Sequence, residues 1–189
     1  MTGILPIARL GSPILEQRAK DIEKFADRSL QSLIDSLIET ARASNGVGIA
    51  APQVSESLRL FIVASRPNPR YPNAPTMEPT AMINPRILST SGEIVKGWEG
   101  CLSVPGLRGF VPRHRSIEVE YLDRSGNVIR ARFDDFIARI FQHESDHLDG
   151  ILFLDRLESD ADLYTEEEYQ FLTREASVTE TVGARASHP

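Results

Sequence analysis

Residues 136–148 read FIARIFQHESDHL. Apolar residues recur in this stretch at helical spacing, on two adjacent stripes that would both face inward. The aspartates at 134 and 135 offer an N-cap, and Gly150 offers a C-terminal stop. The stretch therefore predicts one buried helix around which the rest of the fold is built.

Two imidazoles and a carboxylate lie on the inward side of this predicted helix. His143 and His147 are four residues apart, so a helix points both at one ion, with Glu144 one step round the cylinder. Polar groups on an apolar face cost free energy unless they are paired or bind a metal. An isolated histidine there is more often a hydrogen-bonded core residue, but the full spacing with the carboxylate favours metal-assisted hydrolysis.

A catalytic site of this kind needs a third protein ligand and an open position for water. The long metalloprotease pattern fails, because Phe153 stands where its third histidine would lie. A later carboxylate, Glu158 or one of Glu166 to Glu168, stays open as a candidate. The single cysteine, Cys101, is the other candidate. Most free cysteines are small buried hydrophobes, but thiolate with two imidazoles is a known ligand set, and Gly100 lets the backbone approach closely.

A glycine-rich segment follows another predicted helix. Apolar residues recur at helical spacing over 27–44, and Asn45 with Gly46 supplies the stop. Gly46 and Gly48 free the backbone to pass close to a substrate, and Gln53 offers an amide donor to a developing oxyanion. An ordinary helix cap followed by a turn is the alternative interpretation of the same residues.

Three segments together resemble the motifs of the peptide deformylases: GVGIAAPQ at 46–53, EGCLSVP at 99–105 and QHESDHLDG at 142–150. They stand in the family's order and spacing, and the similarity extends from about Ile7 through Leu154. The helix motif occurs in many hydrolases, whereas the cysteine motif is peculiar to this family. Ile49 stands where leucine is commoner, and Ser145 occupies a variable position.

The resemblance implies a hydrolase that removes the N-formyl group from the N-terminal formyl-methionine of new polypeptides and releases formate. It implies three ligands for one divalent ion: Cys101, His143 and His147. Iron(II) is favoured, with zinc, nickel or cobalt as alternatives, because availability often decides which ion such a set takes. Glu144 would be the general base and then the acid, while Gln53 and the backbone N–H of Leu102 would receive the oxyanion.

The resemblance also implies a substrate site. Its residues would be Val47, Gly48, Glu99, Gly100, Arg108, Phe136, Arg139 and Ile140. The last three, with the valine, would line a methionine pocket, to which Arg139 contributes mainly its aliphatic stem. Glu99 and Arg108 resemble an ion pair in which the arginine also meets a substrate carbonyl; two solvated charges are the alternative. Asp146 would orient a metal-binding histidine or an arginine such as Arg113, or else lie exposed.

Composition sets further bounds. With 189 residues, 41% hydrophobic and 25% charged, the chain can form one domain with a sizeable core. A net charge of −6 and a pI near 5.3 argue against general nucleic-acid binding, although a local contact with the ribosome near its exit tunnel stays open. We find no leader or membrane-length apolar run. We therefore expect a cytoplasmic protein that makes no membrane contact. The resemblance implies N-formylmethionyl peptides as its substrates, and we expect a monomer.

The remaining patterns predict an α+β fold, with mostly antiparallel short strands packed around a central metal-binding α-helix. Strands are predicted at 49–54, 58–64 and 81–85, and a hairpin at 116–122 and 128–133. The proline-rich stretch 66–75 predicts an ordered surface loop, and 165–175 a last helix. We expect a single catalytic domain over 1–175 and a disordered tail over 176–189.

Two other functions stay open. A metalloprotease would share the helix motif and would cleave an internal peptide bond. A metal-stabilised binding module would need a fourth protein ligand, because a structural zinc site is closed, and no second cysteine or neighbouring histidine offers one. The sequence ranks deformylation first.

Overall fold

Two antiparallel sheets and three α-helices make up the computed structural model, which describes residues 3–174. The helices are α1 (Arg28–Ala43), α2 (Asp135–Leu148) and α3 (166–174). The strands are β1 (Gly48–Ala50), β2 (Leu60–Val63), β3 (Thr80–Thr90), β4 (Ile94–Cys101), β5 (Val104–His114), β6 (Ser116–Leu122), β7 (Val128–Asp134) and β8 (Leu163–Thr165). This is the α+β fold that the sequence predicts.

The larger sheet has the strand order β1-β2-β3-β6-β7, and the smaller one has the order β4-β5-β8. β6 and β7 form the predicted hairpin. The side chains of β2 alternate between two cores, as a strand requires. Phe61 and Val63 pack with α2, whereas Leu60 and Ile62 pack with α1. Because both faces of β2 are covered, it reads as an unbroken apolar run.

Helix α2 is held between the sheets by its apolar residues. Phe141 meets Phe61 of β2 edge-on, with ring centroids 5.1 Å apart. Asp134 occupies the N-cap position, and Gly150 follows the helix with a φ of 74°. A Cβ on Gly150 would lie 2.6 Å from the backbone carbon of Glu16, so only glycine fits this stop. The predicted helix boundaries are confirmed.

The structure corrects two of the strand predictions. The run 49–54 is a strand only through Ala50, and Ala51–Val54 is a 3-10 helix. Pro52 has no N–H for a ladder, and the Gln53 side chain accepts the N–H of Ala50 at 2.9 Å. The predicted strands also leave out the region of Cys101, where the cysteine ends β4 in a long hairpin with β5.

Two further predictions concern the chain ends. The last helix is present at 166–174, inside the predicted range. The proposed tail at 176–189 lies outside the described residues, so the domain boundary stays a prediction. Within 3–174, the model contains no helix with the length and apolarity needed to cross a membrane.

Candidate metal centre

Strand β4 and helix α2 bring three ligand atoms together. Cys101 is the last residue of β4, and His143 and His147 lie one turn apart on the buried side of α2. The ligand atoms all lie within 4.8 Å of one another, and Cys101 Sγ is 3.3 Å from His147 Nε2. A thiolate with two imidazoles is a donor set of catalytic metal sites that keep an open position. The cluster could therefore hold one divalent ion.

Of the four carboxylates that the sequence left open as third ligands, Glu167 is exposed and the other three are engaged elsewhere. Glu158 pairs with a lysine of β4 at 2.8 Å, and Glu166 pairs with an arginine of β5 at 2.7 Å. Glu168 accepts hydrogen bonds from the backbone and hydroxyl of Thr165. Among the described residues, Cys101 is the group that joins the two histidines.

The three ligand side chains influence one another's protonation. Burial alone would raise the pKa of the Cys101 thiol, but the charges of His147 and His143 hold it well below its usual value. Burial alone would lower the pKa of His143, but Cys101 and Glu99 hold it well above its usual value. Without an ion, both shifts favour a thiolate beside an imidazolium. A metal ion would displace a proton from the cluster when it binds.

Glu99 fixes the orientation of His143. Its Oε2 accepts a hydrogen bond from His143 Nδ1 at 2.8 Å, which turns the other ring nitrogen toward the cysteine side. Arg113 binds both carboxylate oxygens at 2.9 and 3.0 Å, and Arg139 binds Oε1 at 2.9 Å. Burial would raise the pKa of Glu99, but His143 and Arg113 outweigh it and hold that pKa well below its usual range.

The predicted ion pair between Glu99 and Arg108 is wrong. In the hairpin, Glu99 lies opposite Gly109, so its side chain shares a face with every second residue of β5 from Gly109, including Arg113. Arg108 precedes Gly109 by one residue, so its side chain lies on the other face of the hairpin. Strand register, which the sequence did not reveal, decides the partner.

A second carboxylate extends the network away from the metal cluster. Asp146 Oδ2 accepts from Arg113 Nη1 at 2.6 Å, which confirms its predicted partner. Arg156, in the 3-10 helix after α2, binds both oxygens of Asp146 at 2.7 and 3.1 Å. The chain of charged hydrogen bonds therefore runs from Arg156 through Asp146, Arg113 and Glu99 to His143.

Glu144 has a different environment. It is 4% exposed, and its Oε2 has no hydrogen-bond partner in the part of the chain that the structure describes. Burial raises the pKa of this carboxyl to about 7. Gly48 of β1 passes so close that a Cβ there would overlap Glu144 Oε1. The glycine of the first motif therefore makes room for this carboxylate, and a proton acceptor is left facing the cluster.

A pocket opens beside these groups. Seven of the eight predicted substrate residues line it: Val47, Gly48, Glu99, Gly100, Phe136, Arg139 and Ile140. Gln53, Leu102, His143 and Glu144 line it too, so the apolar side chains and the reactive groups share one cavity.

Arg108 is not part of the pocket lining, and its side chain is fully buried. Glu166 binds its Nε and Nη2, while its Nη1 donates to Tyr71 OH at 3.1 Å. This arginine therefore ties α3 to the hairpin. Arg139 lines the pocket, and its guanidinium is fixed by the carbonyl oxygens of Val95 and Val111 and by Glu99, which agrees with a contribution mainly from its aliphatic stem.

The predicted oxyanion donors lie near the cysteine. Gln53 Nε2 donates to Ser103 Oγ at 3.1 Å and lies 3.4 Å from Cys101 Sγ. The side-chain oxygen of Gln53, Oε1, accepts a hydrogen bond from the Ala50 N–H. The side-chain nitrogen is therefore the atom that faces the cluster. Leu102 stands directly after the cysteine in the tight turn between β4 and β5.

Tyr71 is a site residue that the sequence did not indicate. Its hydroxyl accepts the Gly100 N–H at 3.2 Å, and its ring centroid lies 5.3 Å from that of Phe136. It comes from the proline-rich loop 66–75, together with Arg70, which also lines the pocket. Prolines predict a loop but not the part of the protein that the loop covers. No sequence pattern therefore places Tyr71 in the site.

Comparisons with known proteins agree with this geometry. Residues 4–162 match the family model described as polypeptide deformylase. The chain is 65% identical over 169 residues to peptide deformylase 2 of Nostoc sp., covering 89% of this chain and 94% of that protein. It is 49% identical to peptide deformylase 2 of Shewanella oneidensis, covering 80% and 83% respectively.

Solved structures give the same result. A class I type b peptide deformylase from Acinetobacter baumannii, in a crystal structure described as Met-Ala-Ser bound, superposes with a TM-score of 0.81 at 48% identity. The match covers 83% of this chain and all of that one. The Thermotoga maritima peptide deformylase superposes with a TM-score of 0.74 at 37% identity, covering 82% and 99%. This chain therefore belongs to the peptide deformylase family.

Proposed function

We propose that this protein removes the N-formyl group from the N-terminal formyl-methionine of newly synthesised polypeptides and releases formate. The observation that carries the proposal is the cluster Cys101, His143 and His147 beside a buried Glu144 that keeps a free carboxylate oxygen. The family assignment supports the same reaction. So does the Acinetobacter relative, whose bound Met-Ala-Ser begins with the residue that deformylation would free.

Cys101, His143 and His147 would hold a divalent ion, and we propose iron(II), with zinc, nickel or cobalt as alternatives. When bound, such an ion supplies a Lewis acid that polarises the formyl carbonyl and makes water easier to deprotonate. Glu99 and the arginines behind it keep the His143 ring in its ligating orientation.

Glu144 moves the proton. As a carboxylate, it takes a proton from the water whose oxygen attacks the formyl carbon. Glu144 passes this proton to the leaving nitrogen as the C–N bond breaks, which gives a free amine and formic acid. The formic acid loses its own proton to water as formate, so the base ends the cycle as it began. A pKa near 7 suits a group that must both accept and give a proton near neutrality.

Two donors would stabilise the negative charge that develops on the formyl oxygen. These are the Gln53 amide and the backbone N–H of Leu102, both at the rim of the cluster. One such donor typically contributes about 3 kcal/mol to the transition state. Gln53 is held by Ala50 and Ser103, so little reorganisation is needed when charge develops.

The apolar part of the pocket would take the methionine side chain. Val47, Phe136 and Ile140 line it, and Gly48 and Gly100 allow a peptide backbone to approach. Full burial of a methionine side chain contributes about 1.5–3 kcal/mol. Arg139 closes the pocket with its aliphatic stem, because its guanidinium is already fixed by the hairpin.

This substrate arises where polypeptides are made. We therefore also propose that the protein works in the cytoplasm, as a monomer, with contact near the ribosomal exit tunnel.

The test is formate release from formyl-Met-Ala-Ser by protein purified without oxygen, with metal analysis of the same sample. We expect formate and free amine in equal amounts. An internally cleavable peptide is the control, and it should stay intact. A metal-loaded sample that yields no formate, or that cuts the internal bond, would contradict the proposal and favour a binding module or a protease respectively.

A further inference from the structure

Two arginines line the pocket, and they differ in their bonding. The guanidinium of Arg139 donates to three carbonyl oxygens and to Glu99. The guanidinium of Arg70 makes no hydrogen bond or ion pair to any residue between 3 and 174. Its contact is with the ring of Tyr71, 5.9 Å from the centroid. Arg70 is half-buried, so it stands at the mouth of the pocket with its donors free.

The structure holds Arg70 in this place through its backbone. Its N–H donates to Asn68 Oδ1 at 2.9 Å, which is the local turn that an asparagine favours. Tyr71, the next residue, is fixed to the Gly100 N–H and to Arg108. Arg70 Nη2 lies 3.0 Å from the position that a Cβ on Gly100 would occupy. The cation is thus set against the strand that leads to Cys101.

The carboxylates nearby are already neutralised. Glu99 is bound by Arg113 and Arg139, and Glu166 is bound by Arg108. Arg70 contributes to the positive charge that lowers the pKa of Glu166, but between residues 3 and 174 no carboxylate forms an ion pair with it. A guanidinium has a planar fork of donors that matches a carboxylate. A carboxylate carried by the substrate would therefore fit the free donors of Arg70.

We propose that Arg70 selects peptides that carry a carboxylate just downstream of the formyl-methionine. This inference rests on the proposed function. The methionine occupies the apolar interior formed by Phe136 and Ile140, so the chain that follows it leaves past Gly100 and Arg70. The carboxylate is the side chain of an aspartate or glutamate, or the C-terminus of a short peptide.

The expected preference is modest because the mouth is open to solvent. For a partly exposed ion pair we expect up to about fivefold in kcat/KM, carried mainly by KM, and repulsion of a lysine adds to this when Glu and Lys substrates are compared. The preference should shrink in 1 M salt, where the screening length is only about 3 Å. A preference set by shape alone would not respond to salt.

The experiment compares formate release from formyl-Met-Glu-Ser-amide, formyl-Met-Gln-Ser-amide and formyl-Met-Lys-Ser-amide. Formyl-Met-Ala-Ser as amide and as free acid separates a side-chain carboxylate from a C-terminal one. We expect the wild type to prefer Glu over Lys about three- to tenfold, Arg70→Gln to lose the preference and Arg70→Glu to reverse it. Arg66→Gln is the matched control, because Arg66 lies in the same loop but donates to the Arg42 carbonyl and does not line the pocket.

The outcomes separate the two proposals. Equal use of all peptides by the wild type, or an unchanged Glu-to-Lys ratio in Arg70→Gln, overturns the role of Arg70 and leaves deformylation intact. Loss of the preference in Arg66→Gln to the same extent also overturns it, because the effect would then belong to the loop's overall charge. No formate from any peptide by metal-loaded protein overturns both proposals.

Discussion

Two glutamates of the same site have opposite environments. Glu99 and Glu144 are 3% and 4% exposed, so solvent reaches them almost equally little. Glu99 accepts hydrogen bonds from His143, Arg113 and Arg139, and its pKa is held well below its usual range although burial opposes this. Glu144 Oε2 has no partner between residues 3 and 174, and burial raises its pKa to about 7.

The difference shows that burial alone does not set the role of a carboxylate. The network around Glu99 fills its acceptor positions and holds a metal-ligating ring still. Glu144 lines the pocket, and its Oε2 is left without a donor among the described residues, which costs stability. A substrate and a water molecule can enter at this place. Under the proposed function, positioning and proton transfer would therefore fall to separate carboxylates.

The largest expected effect concerns turnover. Glu144→Gln should retain the metal but lower kcat by about 10²–10⁴, because only proton transfer is removed. The measurement is formate release with metal analysis of the same samples. Ser145→Ala is the matched control, because this neighbouring hydroxyl has no hydrogen-bond partner in the described chain, and we expect it to keep near-normal turnover. Near-normal turnover by metal-loaded Glu144→Gln would remove the distinction between the two glutamates.

The next effect concerns stability. Glu99→Gln should lower the free energy of unfolding by about 3–5 kcal/mol, because it leaves buried arginine charge without its partner. The same variant should bind metal about 10–100 times more weakly, because His143 loses the acceptor that orients it. Denaturant unfolding and chelator competition measure the two effects. A variant with wild-type stability and affinity would show that the network is incidental.

The smallest effect separates the two carboxylates by pH. The pKa of Glu144 is raised from 4.5 to about 7 in the folded chain, so its ionisation destabilises the fold as pH rises between those values. Metal-free Glu144→Gln should therefore gain about 3 kcal/mol relative to wild type by pH 8, and nothing at pH 4. Glu99 has the opposite sign, because its lowered pKa contributes stability that is lost as pH falls below about 4.5. Unfolding curves at several pH values check both signs.

Much of this site follows from local sequence. The spacing of His143 and His147 and the apolar stripes around them predict α2, since periodicity is a property of neighbouring residues. Cys101 is predicted because few residue types complete such a ligand set. The Glu99 partner is not predicted, because it depends on the register of a hairpin whose strands were not recognised. Tyr71 and Arg70 are not predicted either, since their position depends on how a proline-rich loop folds over the pocket.

The central claim is that the site holds one saturated carboxylate and one free carboxylate. Carbon-13 NMR of glutamate side-chain carboxyls, followed from pH 3 to pH 9 in the metal-free protein, tests it most directly, with Glu99→Gln and Glu144→Gln assigning the two signals. We predict that Glu144 titrates near pH 7, whereas Glu99 stays ionised down to the start of acid unfolding. Titration of Glu144 near 4.5, or of both signals together, would contradict the account.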